Sequence, residues 1–376
     1  MSRPLEVAHT PLIFSYWPVA KRAERFLPGV VLHTAAPWTV IRSSLSDIAD
    51  PARREDAIGF IRQGEDLFRA ARESSALGAQ PMLYYYAFLN LAKAFIIKNT
   101  QLDLSVRFTH GLEPAPVDGV AYHASFKGPQ LSVKASNKGS HSVFSHLVEL
   151  FSAQPPPPSV ALEDVAAQCI VGHAMLCSAW GIPERFRPLS AVQMLMDRRN
   201  SGDHWTALAN VFVASSLHEV NQDKDWHLKY GLQHPWGRSM PVYGTRVDDG
   251  QHITLATATR AFGQVEETDD SVSAAAARIV AALRPVTSRT MSRSPPFRQY
   301  YVFESDSGAR RLPDLVTCYA IMFYLGSLSR YSPKKFAELM KGAEGLFAGE
   351  FLAAAPANML YEFASEFSGQ EVAEPG

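Results

Sequence analysis

Between Gln80 and Ile97 the chain reads Gln-Pro-Met-Leu-Tyr-Tyr-Tyr-Ala-Phe-Leu-Asn-Leu-Ala-Lys-Ala-Phe-Ile-Ile, apolar on nearly every helical face. Asn90 and Lys93 interrupt it before Lys98 and Asn99 end it. A helix that is apolar all round belongs inside a larger core. Pro81 suits a first helical position, where a missing N–H costs nothing. The run is too short and too interrupted to cross a bilayer, which takes about 20 apolar residues. It is therefore expected as a central core helix, and the hydroxyls of Tyr84, Tyr85 and Tyr86 need partners there.

With 376 residues, 47% hydrophobic and 19% charged, the chain is long enough to bury such a core without staples and to hold two or three domains. A formal net charge of −1 gives no global field toward nucleic acid or acidic membranes. Cys169, Cys177 and Cys318 do not make a disulfide framework and fit a reducing compartment. Residues 1–10 lack the apolar core of a signal peptide. The expected protein is cytoplasmic, with no membrane association.

The first fifty residues look irregular, anchored by Trp17 and Trp38. Asp50-Pro51 reads as an N-cap followed by proline at the first helical position. That helix carries Ile58, Ile61, Phe68 and Ala71 on one side and stops at Gly78, so it forms an antiparallel hairpin with the tyrosine-rich helix. Segments 104–108, 120–126 and 131–135 read as strands. A helix over 142–152 precedes four prolines at 155–158, the clearest internal boundary. These divisions give an N-terminal part (1–154, with the hairpin over 50–98 and a β insertion), a mainly helical C-terminal part packing on it (159–367), and a disordered tail (368–376). Within the second part, helices are expected over 160–179, 189–199, 204–220 and 271–283. A β segment near 240–258 turns at Asp248-Asp249-Gly250, and 300–303 forms another strand. Further helices start at Pro313-Asp314 and Ser332-Pro333, and Pro356 breaks the last helical region.

The stretch from Tyr85 to Ala94 resembles the tyrosine-rich helix of HEPN domains, small helical bundles common in bacterial toxins and antiviral systems. Thr109-His110-Gly111-Leu112 follows it in a comparable place. The wider layout is similar to YaaC-like proteins. The shared points are Trp17, the tyrosine-rich helix, His110-Gly111-Leu112, and Leu325-Gly326-Ser327-Leu328-Ser329-Arg330-Tyr331-Ser332-Pro333. The resemblance implies a mainly α fold, a HEPN-like helical bundle with small β insertions (α+β). Catalytic HEPN domains are metal-independent ribonucleases with an Arg-x(4–6)-His motif, which Arg199-Asn200-Ser201-Gly202-Asp203-His204 matches. On that resemblance Arg199 and His204 form the catalytic pair, Asn200 is the accompanying polar residue, and no metal or cofactor is needed. The histidine serves as acid or base, and the arginine stabilises the charged phosphorane as the RNA 2′-hydroxyl attacks. A homodimer brings two motifs together. The same residues also read as an interhelical turn, with Asp203 capping the next helix.

Cys169, His173 and Cys177 recur every four residues, but three ligands on one straight helix cannot close a tetrahedral metal site, so they are expected on a packed face. His141 and His146 read as surface residues beside a helix start. No Gly-x-Ser-x-Gly elbow, phosphate-binding Gly-Lys-Ser/Thr loop or dinucleotide fingerprint occurs. Segment 271–303 holds Arg278, Arg284, Arg289, Arg293 and Arg298 without an acidic residue, together with Phe297, Tyr300 and Tyr301. Arg289, Arg293 and Arg298 are the candidate RNA grip, through phosphate contacts and stacking; the alternative is solvated or internally paired arginines. Two functions stay open: an RNA-cleaving or RNA-binding effector of a bacterial antiviral defence or toxin system, and a non-catalytic interaction or scaffold subunit. The expected partners are a second copy, a protein of the same defence operon, or RNA.

Overall fold

The computed structural model describes the chain except residues 1, 23–24, 27–30, 153, 199–203, 216–229, 231, 233–236, 247–251, 292–297 and 306–310. Two compact units emerge, both assembled from separated stretches. The first comprises Met1–Thr34, Arg185–Arg310 and Gly369–Gly376; the second comprises Ala35–Glu184 and Arg311–Ser368. The proline tract at 155–158 lies inside the second unit and divides nothing.

The first unit is built on an antiparallel sheet that has seven strands among the described residues. Its order is Gly237–Arg246, His252–Val265, Trp205–Ser215, Phe186–Asp197, Arg298–Phe303 and Thr287–Met291, with Ser2–Pro4 also pairing to Phe186–Asp197. Trp205, Ala207, Ala209, Val211 and Val213 are buried at every second position. They form one core with Val272, Ala275, Ala276, Ile279 and Leu283 of the helix Asp269–Leu283. Thr268 caps that helix by accepting the Ser271 N–H at 3.3 Å.

This sheet overturns the mainly helical fold: the chain is α+β, not a HEPN-like bundle with small insertions. The helices expected over 189–199 and 204–220 fall on the paired strands Phe186–Asp197 and Trp205–Ser215. In Trp205–Ser215 the buried residues alternate with period two, but Leu208 and Phe212 on the opposite face fill the gaps and blur the alternation. The first fifty residues, expected to be irregular, carry short strands and the helix Pro37–Ser44. The expected tail is also folded. Glu371–Ala373 is a buried strand running parallel to Val31–His33. The predicted turn at Asp248-Asp249-Gly250 lies outside the described residues.

The second unit is the helical one, and the tyrosine-rich helix Gln80–Asn99 lies at its centre with thirteen buried residues. The helix Pro51–Glu73 packs along it, started by Asp50, whose carboxylate accepts the Ala52 N–H at 2.9 Å. Arg53 then donates to the carbonyls of Ile97 (3.1 Å), Thr100 (2.8 Å) and Leu102 (2.6 Å), so one helix start closes the other's end. Two glycines set the backbone crossings of the central helix. A Cβ on Gly64 would lie 3.2 Å from the Ala87 carbonyl, and one on Gly326 3.1 Å from Tyr85 Cβ. Gly326 belongs to Asp314–Tyr331, a helix buried almost throughout. Pro333–Lys341 and Gly345–Ser368 follow, and the last runs unbroken through a buried Pro356, against expectation. A small antiparallel sheet joins Leu112–Ala115, Gln130–Val133 and Ser159–Ala161; segment 120–126, expected as a strand, has none. Residues 160–179 form two short helices, Leu162–Ala167 and His173–Trp180, separated at Gly172 with φ +76. Cys169 therefore does not share a helix with His173 and Cys177.

Candidate functional site

The turn His110-Gly111-Leu112, the tyrosine-rich helix and the end of Asp314–Tyr331 meet around a cavity of about 210 Å³ in the second unit. The turn depends on Gly111, whose φ is +81 and whose added Cβ would lie 2.2 Å from Ser142 Oγ and 3.0 Å from the Phe144 nitrogen. The His110 carbonyl accepts the Tyr319 hydroxyl at 3.1 Å and the Phe144 N–H at 3.3 Å, which ties the turn to two helices. The His110 ring remains solvent-exposed, 5.2 Å from the ring of Phe323. Its Nδ1 accepts the Leu112 N–H at 3.4 Å, so a neutral ring carries its proton on Nε2. Partial burial lowers its pKa below the ordinary histidine value.

Tyr85 forms the floor, 5% exposed. Its hydroxyl is buried beside that of Tyr319. Burial pushes its pKa well above the ordinary phenol range. At the rim, Arg330 donates to the Tyr86 hydroxyl and lies over the Tyr331 ring at 4.9 Å. Tyr331, 60% exposed, stacks on Tyr122 with centroids 6.1 Å apart and planes at 26°. Glu113 completes the rim, paired with Lys134 at 2.6 Å.

A cavity of about 260 Å³ in the first unit contains Arg298, Glu371, Ser15 and Tyr300. Its charges are closed on one another. Arg298 pairs with Glu371 and donates to the Val372 carbonyl at 2.6 Å, and Ser15 donates to Glu371.

Of the sequence-predicted site residues, His204, Arg289 and Arg298 are among the described ones. Arg199 and Asn200 lie outside the described residues, as does Arg293. His204 is exposed and immediately precedes Trp205–Ser215. His204 thus lies directly before a strand whose Thr206 pairs with Asp197 of the preceding antiparallel strand. Arg289 and Arg298, expected as an exposed RNA grip, are 5% and 4% exposed. Arg289 lies over the rings of Tyr16 (4.3 Å) and Trp17 (4.6 Å). Of the predicted surface histidines, His141 is buried and hydrogen-bonds the Asp103 carbonyl at 2.8 Å. Cys177 Sγ meets His173 Nε2 at 3.3 Å, with both residues buried.

The residues that do gather were partly visible in sequence. Tyr85, Tyr86, His110, Arg330 and Tyr331 all stand within the segments that carry the YaaC-like resemblance. The YaaC-like family model matches residues 37–367. The chain belongs to the YaaC-like family. The match bears out that half of the resemblance and says nothing of the HEPN half. It takes in all three segments around the cavity. No curated protein and no solved structure matches the chain. Among the described residues of this YaaC-like protein, no helix is long and apolar enough to cross a membrane.

Proposed function

We propose that this protein works by recognition rather than by catalysis, capturing a small, flat, anionic ligand in the cavity of the second unit. One observation carries the reading: the segments by which the chain resembles its family converge there and supply a rim guanidinium, stacking rings and an imidazole. Arg330 offers a planar fork suited to a carboxylate or phosphate. Tyr122 and Tyr331 offer ring faces. The volume of about 210 Å³ falls below the roughly 300–1,000 Å³ of pockets for drug-sized ligands, so the occupant is about one ring in size. An activated nucleophile needs a base within hydrogen-bond reach. The acceptor nitrogen of His110 is already engaged by the Leu112 N–H.

The test is a thermal-shift panel of one- and two-ring carboxylates and phosphates against wild type and Arg330→Ala. A ligand present at a hundred times its Kd stabilises the folded form by about 2.7 kcal/mol. At least one compound is expected to shift the wild type and not the variant; no shift with any compound would sink the reading. RNA incubated with the protein and a chelator is expected to stay intact. Cleavage that His204→Ala abolishes would restore the ribonuclease reading in its place.

A further inference from the structure

We propose that Ser136 is a modification site, an activated hydroxyl that accepts the acyl group of a thioester or phenyl ester. Its Oγ lies 3.2 Å from His146 Nε2, and His146 Nδ1 lies 3.4 Å from a carboxylate oxygen of Glu149. An ionised carboxylate only accepts, so it fixes the imidazole proton on Nδ1 and leaves Nε2 bare toward the serine. Nucleophile, base and orienting acid in that order mark a serine triad on any fold, whatever their places in the sequence. His146 and Glu149 stand one turn apart on the helix Val143–Ser152, and Ser136 lies in the exposed loop before it. Burial holds the His146 pKa below the ordinary histidine value despite the opposing charge of Glu149, so the ring is neutral and able to accept at neutral pH. None of the three residues lines the cavity above, and the inference does not rest on its ligand.

Ser136 Oγ attacks the carbonyl carbon of the ester as His146 Nε2 takes the hydroxyl proton. The tetrahedral intermediate collapses with cleavage of the bond to the thiolate or phenolate, which leaves with the electron pair and receives the proton from His146. The products are the serine ester and a free thiol or phenol. The Ser142 N–H donates to Ser136 Oγ at 2.9 Å, which holds the hydroxyl in register with the imidazole. Other N–H groups of the loop are already engaged: Asn137 and Ser140 each donate to the other's carbonyl, and Gly139 donates to Asn137 Oδ1 at 2.8 Å. They are not free to form an oxyanion hole, so the leaving group must itself be a good one. That selects thioesters and phenyl esters over amides.

The test incubates the full chain with p-nitrophenyl acetate and with S-phenyl thioacetate and locates the acetylated peptides by mass spectrometry over time. Ser136 is expected to be acetylated at least about 100-fold faster than Ser46, an exposed serine whose hydroxyl donates to the Ser43 carbonyl. His146→Asn, checked for an unchanged melting curve, is expected to lose about 10²- to 10⁴-fold of the rate at Ser136. Glu149→Gln is expected to slow it and Glu149→Asp to restore part of it, a rescue that tracks the carboxylate on the imidazole. Equal labelling of Ser136 and Ser46 in the wild type overturns the inference without recourse to any variant. An undiminished rate at Ser136 in folded His146→Asn overturns it as well. Neither result touches the ligand reading of the cavity, which Arg330→Ala tests separately.

Discussion

Arg298 and Glu371 form an ion pair whose side chains are 3% and 6% exposed, joining the strand Arg298–Phe303 to the strand Glu371–Ala373. Removing one partner of a buried pair strands the other charge and costs about 3–5 kcal/mol, whereas replacing both by apolar residues is often neutral. Glu371→Ala is therefore expected to lower the first unit's unfolding free energy, read from a urea titration, by an amount in that range. The double variant Arg298→Met, Glu371→Leu is expected to recover most of the loss. Equal destabilisation of the single and double variants would show that the pair is not what holds the last strand.

Gly111→Ala is expected to destabilise the second unit by more than about 2 kcal/mol. The left-handed backbone alone costs an alanine roughly 1–2 kcal/mol, and its methyl would meet Ser142 Oγ at 2.2 Å. The loss is read in a thermal melt; Gly78→Ala, where an added Cβ meets nothing within 4 Å, is the control expected to stay near wild type.

Glu344 gathers three donors on one buried carboxylate: Trp180 Nε1 at 2.6 Å, the Phe126 N–H at 2.7 Å and Ser125 Oγ at 3.1 Å. An orphaned buried donor costs about 1–3 kcal/mol, so Glu344→Ala is expected to cost about 3 kcal/mol or more. Trp180 emission should shift to longer wavelength as its N–H turns to solvent. A variant that keeps wild-type stability and emission would mean the three donors find water without loss.

Alkali should loosen the first unit through Tyr300. Burial, reinforced by the charge of Glu371 and offset in part by Arg289 and Arg298, raises its phenol from 10.0 to about 12. A raised folded-state pKa gives stability that is whole below pH 10 and lost as pH climbs toward 12, roughly 3 kcal/mol in all. Urea midpoints measured between pH 9 and 12 are expected to fall steeply in wild type and less steeply in Tyr300→Phe. Parallel slopes in the two proteins would rule the phenol out.

The helices that sequence placed well carry local punctuation. Asp50-Pro51 starts one and Ser332-Pro333 precedes another, and the all-round apolar run at Gln80–Asn99 could only be interior. The sheet was hidden because Phe186–Asp197 and Trp205–Ser215 carry apolar residues on both faces, so a period of two resembled a helix. Arg289 and Arg298 looked like a basic surface because an unbroken run of neighbours shows no acid, while the acid that pairs with Arg298 stands far along the chain at Glu371. The cavity was half legible for the same reason. Its residues lie in memorable segments, but nothing local says that Tyr86 will meet Arg330 244 positions later; Tyr122 sits in a loop without periodicity and Glu113 on a strand of only four residues.

The pairing of Glu371–Ala373 with Val31–His33 also has a consequence for how the protein is made. Ser15 and Glu371, which share a hydrogen bond, are 356 positions apart. On a ribosome adding about 5–20 residues per second, the opening residues wait many seconds for that partner. The second unit's helices are complete in sequence by Ser368, before the strand that finishes the first unit has been synthesised. The second unit is thus complete in sequence before the first, and the residues around Ser15, made before it, find their partner after it.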